Sequence, residues 1–261
     1  MKKISPFIRD LRSAIMFITI LPGGKGAEFS PTGMIRFFPV VGMMLGGLLV
    51  VTDRVASMFW TAPVVAVIDV FFLVLITGAF HLDGLGDAAD GLFSHRSRER
   101  ALEIMKDSRT GMMGLIAIFL SLAVKIAGIY CVKNLCNGTD EAILTNFQTV
   151  LILLVVPSYA RAGMLFGIRY FKYGREFGTG HDLFEKRLPA ADFIFIAVPV
   201  ILSLLTLGLR GLLLNVAFAA LVFIILLFYK KKMGCITGDM LGAMCEITES
   251  ALFLVAGISF L

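Results

Sequence analysis

The chain has 261 residues, 58% of them hydrophobic and 16% charged, with a formal net charge of +5 and a mean hydropathy of +0.88. Soluble domains run near half apolar and a quarter charged, so the surplus apolar surface must face lipid and a soluble globular protein is excluded. The positive charge is no argument for nucleic acid, because the placement of the basic residues along the chain accounts for it.

The first segment, "MKKISPFIRDLRSAIMFITILPGG" at 1–24, places Phe7, Ile8, Leu11, Ala14, Ile15, Ile18 and Leu21 at helical spacing, with Arg9, Asp10, Arg12 and Ser13 between them. That pattern predicts an amphipathic helix lying on the membrane surface. A basic start before a short apolar run also resembles a signal peptide, but we expect this segment to be retained. A crossing helix needs about 20 mostly apolar residues. On that measure about seven spans are predicted, over 33–52, 61–80, 110–131, 143–168, 190–209, 211–228 and 240–261. Small residues in "FFPVVGMMLGGLLVV" predict close helix approach in the first. The 190–209 and 211–228 pair is expected to form a tight hairpin turning at Arg210-Gly211. With no internal repeat, long linker or low-complexity tract, the expectation is an all-α, polytopic membrane helix bundle forming one domain over 1–261. Cys131, Cys136, Cys235 and Cys245 form no CxxC pair and no zinc spacing. They read as apolar residues, with a Cys131–Cys136 disulfide as the alternative.

Lys- and Arg-rich loops stay cytoplasmic. Nineteen of the 24 basic residues fall on one side of the predicted spans, and Arg54, Lys133 and Arg210 fall on the other. The expected amino terminus is therefore cytoplasmic, as are segments 81–109, 169–189 and 229–239. Lys125 and Arg161 lie inside spans and are expected to pair with Asp69 or another acid.

Where the second span ends, "HLDGLGDAADGL" at 81–92 places Asp83, Asp87 and Asp90 at i, i+4 and i+7. On a helix these lie within about 60° of one another. Each pair then repels by about 3 kcal/mol at an effective dielectric near 20, which calls for a compensating cation. Mg²⁺ commonly sits between one or two carboxylates and a substrate phosphate, so the stretch reads as a Mg²⁺–diphosphate site. The other reading is a solvated helix end whose acids pair with Arg96 or Arg98. Gly84, Gly86 and Gly91 are expected to clear space for a bulky ligand.

Next, "SHRSRERALEIMKDSRTGMMG" at 94–114 brings Lys106, Asp107 and Arg109 to the start of the third span. Helix N-termini attract phosphate, and Gly111 and Gly114 are expected to leave that backbone accessible. Arg109 is suited to bidentate phosphate binding, and Asp107 to a ligand or base. Arg96, Arg98 and Arg100 are equally well explained as lipid anchors. In "YGREFGTGHDLF" at 173–184, Arg175, Glu176 and His181 offer groups for a polar substrate. The three histidines, His81 among them, form no metal triad by spacing and read as hydrogen-bond partners. In "KKKMGCITGDMLGAMCEITES" at 230–250, Thr237 reads as a cap. Asp239, Glu246 and Glu249 lie near one face of an apolar helix, where ionisable groups are usually functional. This face is expected to oppose that of Asp83 across a cavity. A transporter would place such groups near the midplane on broken helices, whereas here the main clusters sit at the cytoplasmic edge.

"FHLDGLGDAADGLFSHRSRERALEIMKDSRTGMMG" at 80–114 resembles the signature region of the adenosylcobinamide-GDP ribazoletransferase family, also called cobalamin (5′-phosphate) synthase. Supporting similarity lies in "RFFPVVGMMLGGLL" at 36–49, "GREFGTGHDLF" at 174–184 and "TGDMLGAMCEITE" at 237–249, and so covers nearly the whole chain. The resemblance implies a Mg²⁺-dependent transferase in a bacterial or archaeal cytoplasmic membrane. It would join adenosylcobinamide-GDP to α-ribazole, or its 5′-phosphate, with release of GMP. By position it implies Asp83, Asp87 and Asp90 at the metal, with Lys106, Asp107, Arg109 and Asp239 in catalysis. Glu246 is the other position it carries over, and with His81, Arg175, Glu176 and Thr237 from the residue reading it completes the expected substrate contacts. Other corrinoid-pathway enzymes and a second copy are the partners it leaves open, and nucleic acid is not among them. The alternative is a CDP-alcohol-type or prenyl-type membrane phosphotransferase acting on a lipid. Asp87-x-x-Asp90-Gly91 resembles the start of the CDP-alcohol motif, but "FSHR" stands where that motif has Ala-Arg, and no G-x3-D-x3-D follows.

Overall fold

A computed structural model describes residues 5–24, 29–135, 142–176, 178 and 180–259, with 142–146 described by backbone alone. Lys2, Lys3, Lys25, Cys136 and the end of the last predicted span therefore lie outside the described residues. Cys131, Cys235 and Cys245 are free thiols.

The described chain is helical, without a strand. In order come α1 (Pro6–Ile18), α2 (Pro31–Met34), α3 (Phe38–Ala56), α4 (Ala62–Ile76), α5 (Phe80–Leu92) and α6 (Arg98–Ile104). Then follow α7 (Met112–Asn134), α8 (Ala142–Tyr170), α9 (Ala197–Thr206), α10 (Gly208–Lys232) and α11 (Gly238–Ala256). Four stretches are long and apolar enough to cross a membrane: Pro31–Ala56, Met112–Asn134, Phe147–Tyr170 and Gly208–Lys232. A fifth arises if α4 and α5, bent by 88°, count as one span.

The differences from the seven expected spans have local causes. The expected 61–80 helix stops at Ile76, because Gly78 (φ 58°) and Ala79 (φ 57°) take left-handed backbone and turn the chain into α5. Fifteen residues reach only about 22 Å, short of a hydrocarbon core of about 30 Å. The expected 190–209 span is a 3-10 run over Ala190–Ile196 continued by the ten-residue α9. The hairpin after it turns at Leu207-Gly208 rather than Arg210-Gly211. Gly208 adopts φ 55°, a conformation open to glycine at little cost. Arg210 is instead buried within α10 and donates to the Ala256 carbonyl at the end of α11, where a cation suits the helix dipole.

α11 is the centre of the bundle, packing on α5, α7, α8 and α10. Its buried residues run almost all round it, from Met240 to Ala256. α3 packs closely on α8, as its glycines predict: Gly42 meets the backbone at Pro157–Ser158 and Gly46 that at Leu153–Leu154. A methyl at either position would collide with main chain. α1 forms as expected, but its faces are not those expected. Asp10 and Ser13 are buried, Asp10 taking Arg9, Arg36 and the Ser30 hydroxyl, while Phe7 and Ile8 are exposed.

Candidate functional site

α5 carries the acidic face. Asp83 is exposed and Asp87 and Asp90 are half-buried. α11 begins directly beside them: a Cβ on Gly84 would stand 3.0 Å from the Asp239 backbone, and one on Gly242 3.1 Å from the His81 carbonyl. Of the acids expected on α11, Asp239 therefore meets the acidic face of α5 by direct helix packing rather than across a cavity. Burial and then the charges of Asp83, Asp239 and Asp90 oppose that of Asp87, and Arg175 favours it. Neither Asp83 nor Asp87 accepts a hydrogen bond from a described residue.

Arg175 ties three loops to this face. Its guanidinium pairs with Asp239 and donates to the Met105 carbonyl at 3.2 Å. Its own segment is fixed by a bridge between Tyr173 and Ile236, with Gly174 N–H on the Ile236 carbonyl at 2.8 Å and Ile236 N–H on the Lys172 carbonyl at 3.1 Å. The segments after α6, after α8 and before α11 thus converge on one end of the bundle.

Several expected roles change. The glycines of α5 do not open space for a ligand. Gly84 admits Asp239, Gly86 admits Ile118 and Gly91 admits Met105, so each lets a neighbouring helix or loop approach. The start of α7 is not free for phosphate either. Asp90 accepts from Gly111 N–H at 2.6 Å and Gly114 N–H at 2.8 Å, one on each oxygen. Asp90 caps α7 from the neighbouring helix, with lone pairs still open on both oxygens.

Asp107 and Arg109 bind each other on an exposed loop, at 2.6 Å between Nη2 and Oδ2. Hydrogen bonds from Arg109 hold the Asp107 carboxyl down to about 2, which makes it a poor proton acceptor at neutral pH. Lys106 precedes them and is exposed. Glu176 is exposed as well, with no partner among the described residues.

Three expected substrate contacts are turned away from solvent. His81 is fully buried, and neither ring nitrogen makes a hydrogen bond. Two residues before Asp83, it points to the opposite side of α5. Thr237 is buried as the N-cap of α11, accepting from Met240 N–H at 3.3 Å. Glu246 is 8% exposed at its side chain and accepts from Lys125 at 2.6 Å. Lys125 also reaches Glu249 at 2.7 Å, and Arg161 pairs with Glu249 from α8. The intramembrane cations therefore meet Glu246 and Glu249, not Asp69.

Among the described residues no three His, Cys, Asp or Glu side chains gather as a ready metal cage. Mg²⁺ rarely asks for one, since it usually keeps waters and takes one or two carboxylates plus substrate oxygens. Asp83 and Asp87, side by side without other partners and short of positive charge, fit that demand.

No solved structure matches this chain. Its sequence is 36% identical over 250 residues to the adenosylcobinamide-GDP ribazoletransferase of Alkaliphilus metalliredigens (strain QYMF), covering 93% of this chain and 92% of that protein. It is 35% identical to the protein of that name from Roseiflexus sp. (strain RS-1), covering 90% and 84%. For the one from Klebsiella pneumoniae (strain 342) it is 33%, covering 95% and 99%. The family model described as cobalamin-5-phosphate synthase matches residues 10–257, and the chain belongs to that family.

Proposed function

We propose that this chain is the membrane transferase that joins adenosylcobinamide-GDP to α-ribazole, or its 5′-phosphate, giving adenosylcobalamin or its 5′-phosphate and GMP. Family membership supports the reaction. The observation that carries its location is the excess of carboxylate at the junction of α5 and α11, where Asp83, Asp87, Asp90 and Asp239 gather beside Arg175, which pairs with Asp239.

Asp83 and Asp87 would hold Mg²⁺, with the charge of Asp90 behind them; when bound, the ion supplies charge neutralisation to the diphosphate. A ribose hydroxyl of the acceptor forms a bond to the phosphorus nearer the cobinamide as the bond from that phosphorus to the GMP oxygen breaks. Asp239 accepts the hydroxyl proton: Arg175 holds its Oδ2, leaving Oδ1 without a hydrogen-bond partner among the described residues. Lys106 and Arg109, on the exposed loop next to Met105, are cations that can meet the charge developing on the oxygen as the bond to GMP breaks. Arg175 orients Asp239 and fixes the loop that carries Lys106.

We place the amino terminus and the converging loops in the cytoplasm, on the charge asymmetry of the loops. The α4–α5 pair, Ala190–Thr206 and α11 complete seven crossings with the four apolar spans, the whole forming one domain of a bacterial cytoplasmic membrane. α1 lies along the inner surface.

The test is GMP release by purified protein given adenosylcobinamide-GDP and α-ribazole or its 5′-phosphate. The expected result is release that needs both substrates and Mg²⁺. Release with a lipid alcohol as acceptor, and none with either form of ribazole, would replace this reading by a lipid-directed phosphotransferase.

A further inference from the structure

Beside the acidic face, a cavity of about 520 Å³ opens between the end of α8 and the 181–187 segment. Arg169, Lys172, Arg175, Lys186 and Arg187 line it, against Glu185 as the one acid among the described lining residues. Its wall is aromatic as well as basic. Tyr173 packs on Phe184 with ring centroids 5.1 Å apart and meets His181 edge-on at 5.8 Å. The bridge to Ile236 holds Tyr173 in place, and its ring abuts Gly180. Arg175 belongs to the cavity and also to the Asp239 pair, so the basic cavity and the acidic face share a side chain.

The chemistry of the two sides is complementary. Four carboxylates suit a diphosphate that arrives with a divalent cation. A cluster of cations next to aromatic rings suits a phosphate that arrives without one, attached to a base that stacks. We propose that this cavity is a nucleoside monophosphate site, with the phosphate on Lys172, Lys186 and Arg187 and the base against Tyr173 and Phe184. Its size lies within the range of small-ligand pockets, about 300–1,000 Å³. An anionic lipid headgroup offers the same phosphate but no base, and the aromatic wall would then have nothing to stack. The choice of GMP as occupant rests on the transferase reading above; the site itself rests on the cavity.

The experiment is equilibrium binding to the full chain in detergent, without Mg²⁺ or acceptor, using GMP, ribose 5-phosphate and anionic-lipid micelles as probes. GMP is expected to bind at least about tenfold more tightly than ribose 5-phosphate, which lacks the stacking base. Lys172→Gln with Lys186→Gln should weaken GMP by about tenfold or more. The control pair Lys230→Gln with Lys231→Gln, exposed at the end of α10 and outside the cavity, should leave GMP affinity within about twofold. Equal affinity for GMP and ribose 5-phosphate, competition by anionic lipid alone, or an equal loss in the control pair overturns the proposal. GMP binding that obeys these rules in a chain that releases no GMP keeps the site and removes the transferase reaction. GMP release by a chain whose GMP affinity ignores Lys172 and Lys186 does the reverse.

Discussion

Two charge clusters share α11. Toward its middle, Glu246 and Glu249 meet Lys125 from α7 and Arg161 from α8, two anions against two cations, each at most 8% exposed. At its start, Asp239 joins Asp83, Asp87 and Asp90 against Arg175, partly open to solvent. In the sequence both look alike, as acids in an apolar helix. Their partners separate them. The inner cluster is balanced and buried and ties α7, α8 and α11 together, whereas the outer cluster carries net negative charge, which under our proposal a bound cation balances. A buried charge points to function only after its counter-charges have been counted.

The largest expected effect breaks the inner cluster. Lys125→Met leaves Glu246 without its cation and Glu249 with Arg161 alone, and removing one partner of a buried pair costs about 3–5 kcal/mol. Thermal unfolding in detergent should show a strongly lowered Tm or loss of folded protein. An unchanged Tm would mean that the network does not hold α7 to α11.

Asp90→Ala sharpens the contrast inside the outer cluster, because Asp90 alone of the three α5 acids caps α7. Loss of such a cap costs about 0.5–2 kcal/mol. The same unfolding measurement should therefore register Asp90→Ala and barely register Asp83→Ala. Equal effects would remove the distinction between cap and site.

The smallest effect is expected at Asp107. Arg109 depresses its carboxyl to about 2, so the ionised form persists as pH falls until it nears that value. Any acid limb of activity above pH 4 then belongs to another group. Asp107→Asn should leave that limb in place in a rate–pH profile and change turnover by no more than about fivefold, as for an exposed pair. Disappearance of the limb would restore Asp107 as the base.

The helical class, the glycine seam of α3 and the single acidic face of α5 were legible because each depends on period and residue size alone. What escaped depends on what lies across the gap. Gly84, Gly86 and Gly91 announce close approach, but only Asp239, Ile118 and Met105 reveal that the visitor is protein rather than ligand. His81 and Asp83 sit two residues apart with opposite fates, since α11 covers one side of α5 and leaves the other open. The turn at Gly208 lies two residues before the Arg210-Gly211 pair that composition favours, because backbone conformation and not composition decides it. Arg175 was legible as a polar group on a glycine-rich loop, but its pairing with Asp239 joins residues 64 apart. The basic cavity likewise assembles from two segments whose lysines and arginines, Arg175 aside, count in the sequence only toward the cytoplasmic charge excess.

The most direct test of the central claim reads Asp83→Asn in two ways at once, by GMP release from adenosylcobinamide-GDP and by thermal unfolding in detergent. The account predicts that release falls by about 10²-fold or more while Tm holds or rises slightly, because a repulsive charge has been removed from an exposed side chain that bonds no described residue. Near-normal release from a folded Asp83→Asn chain would contradict the assignment of the acidic face as the reaction centre.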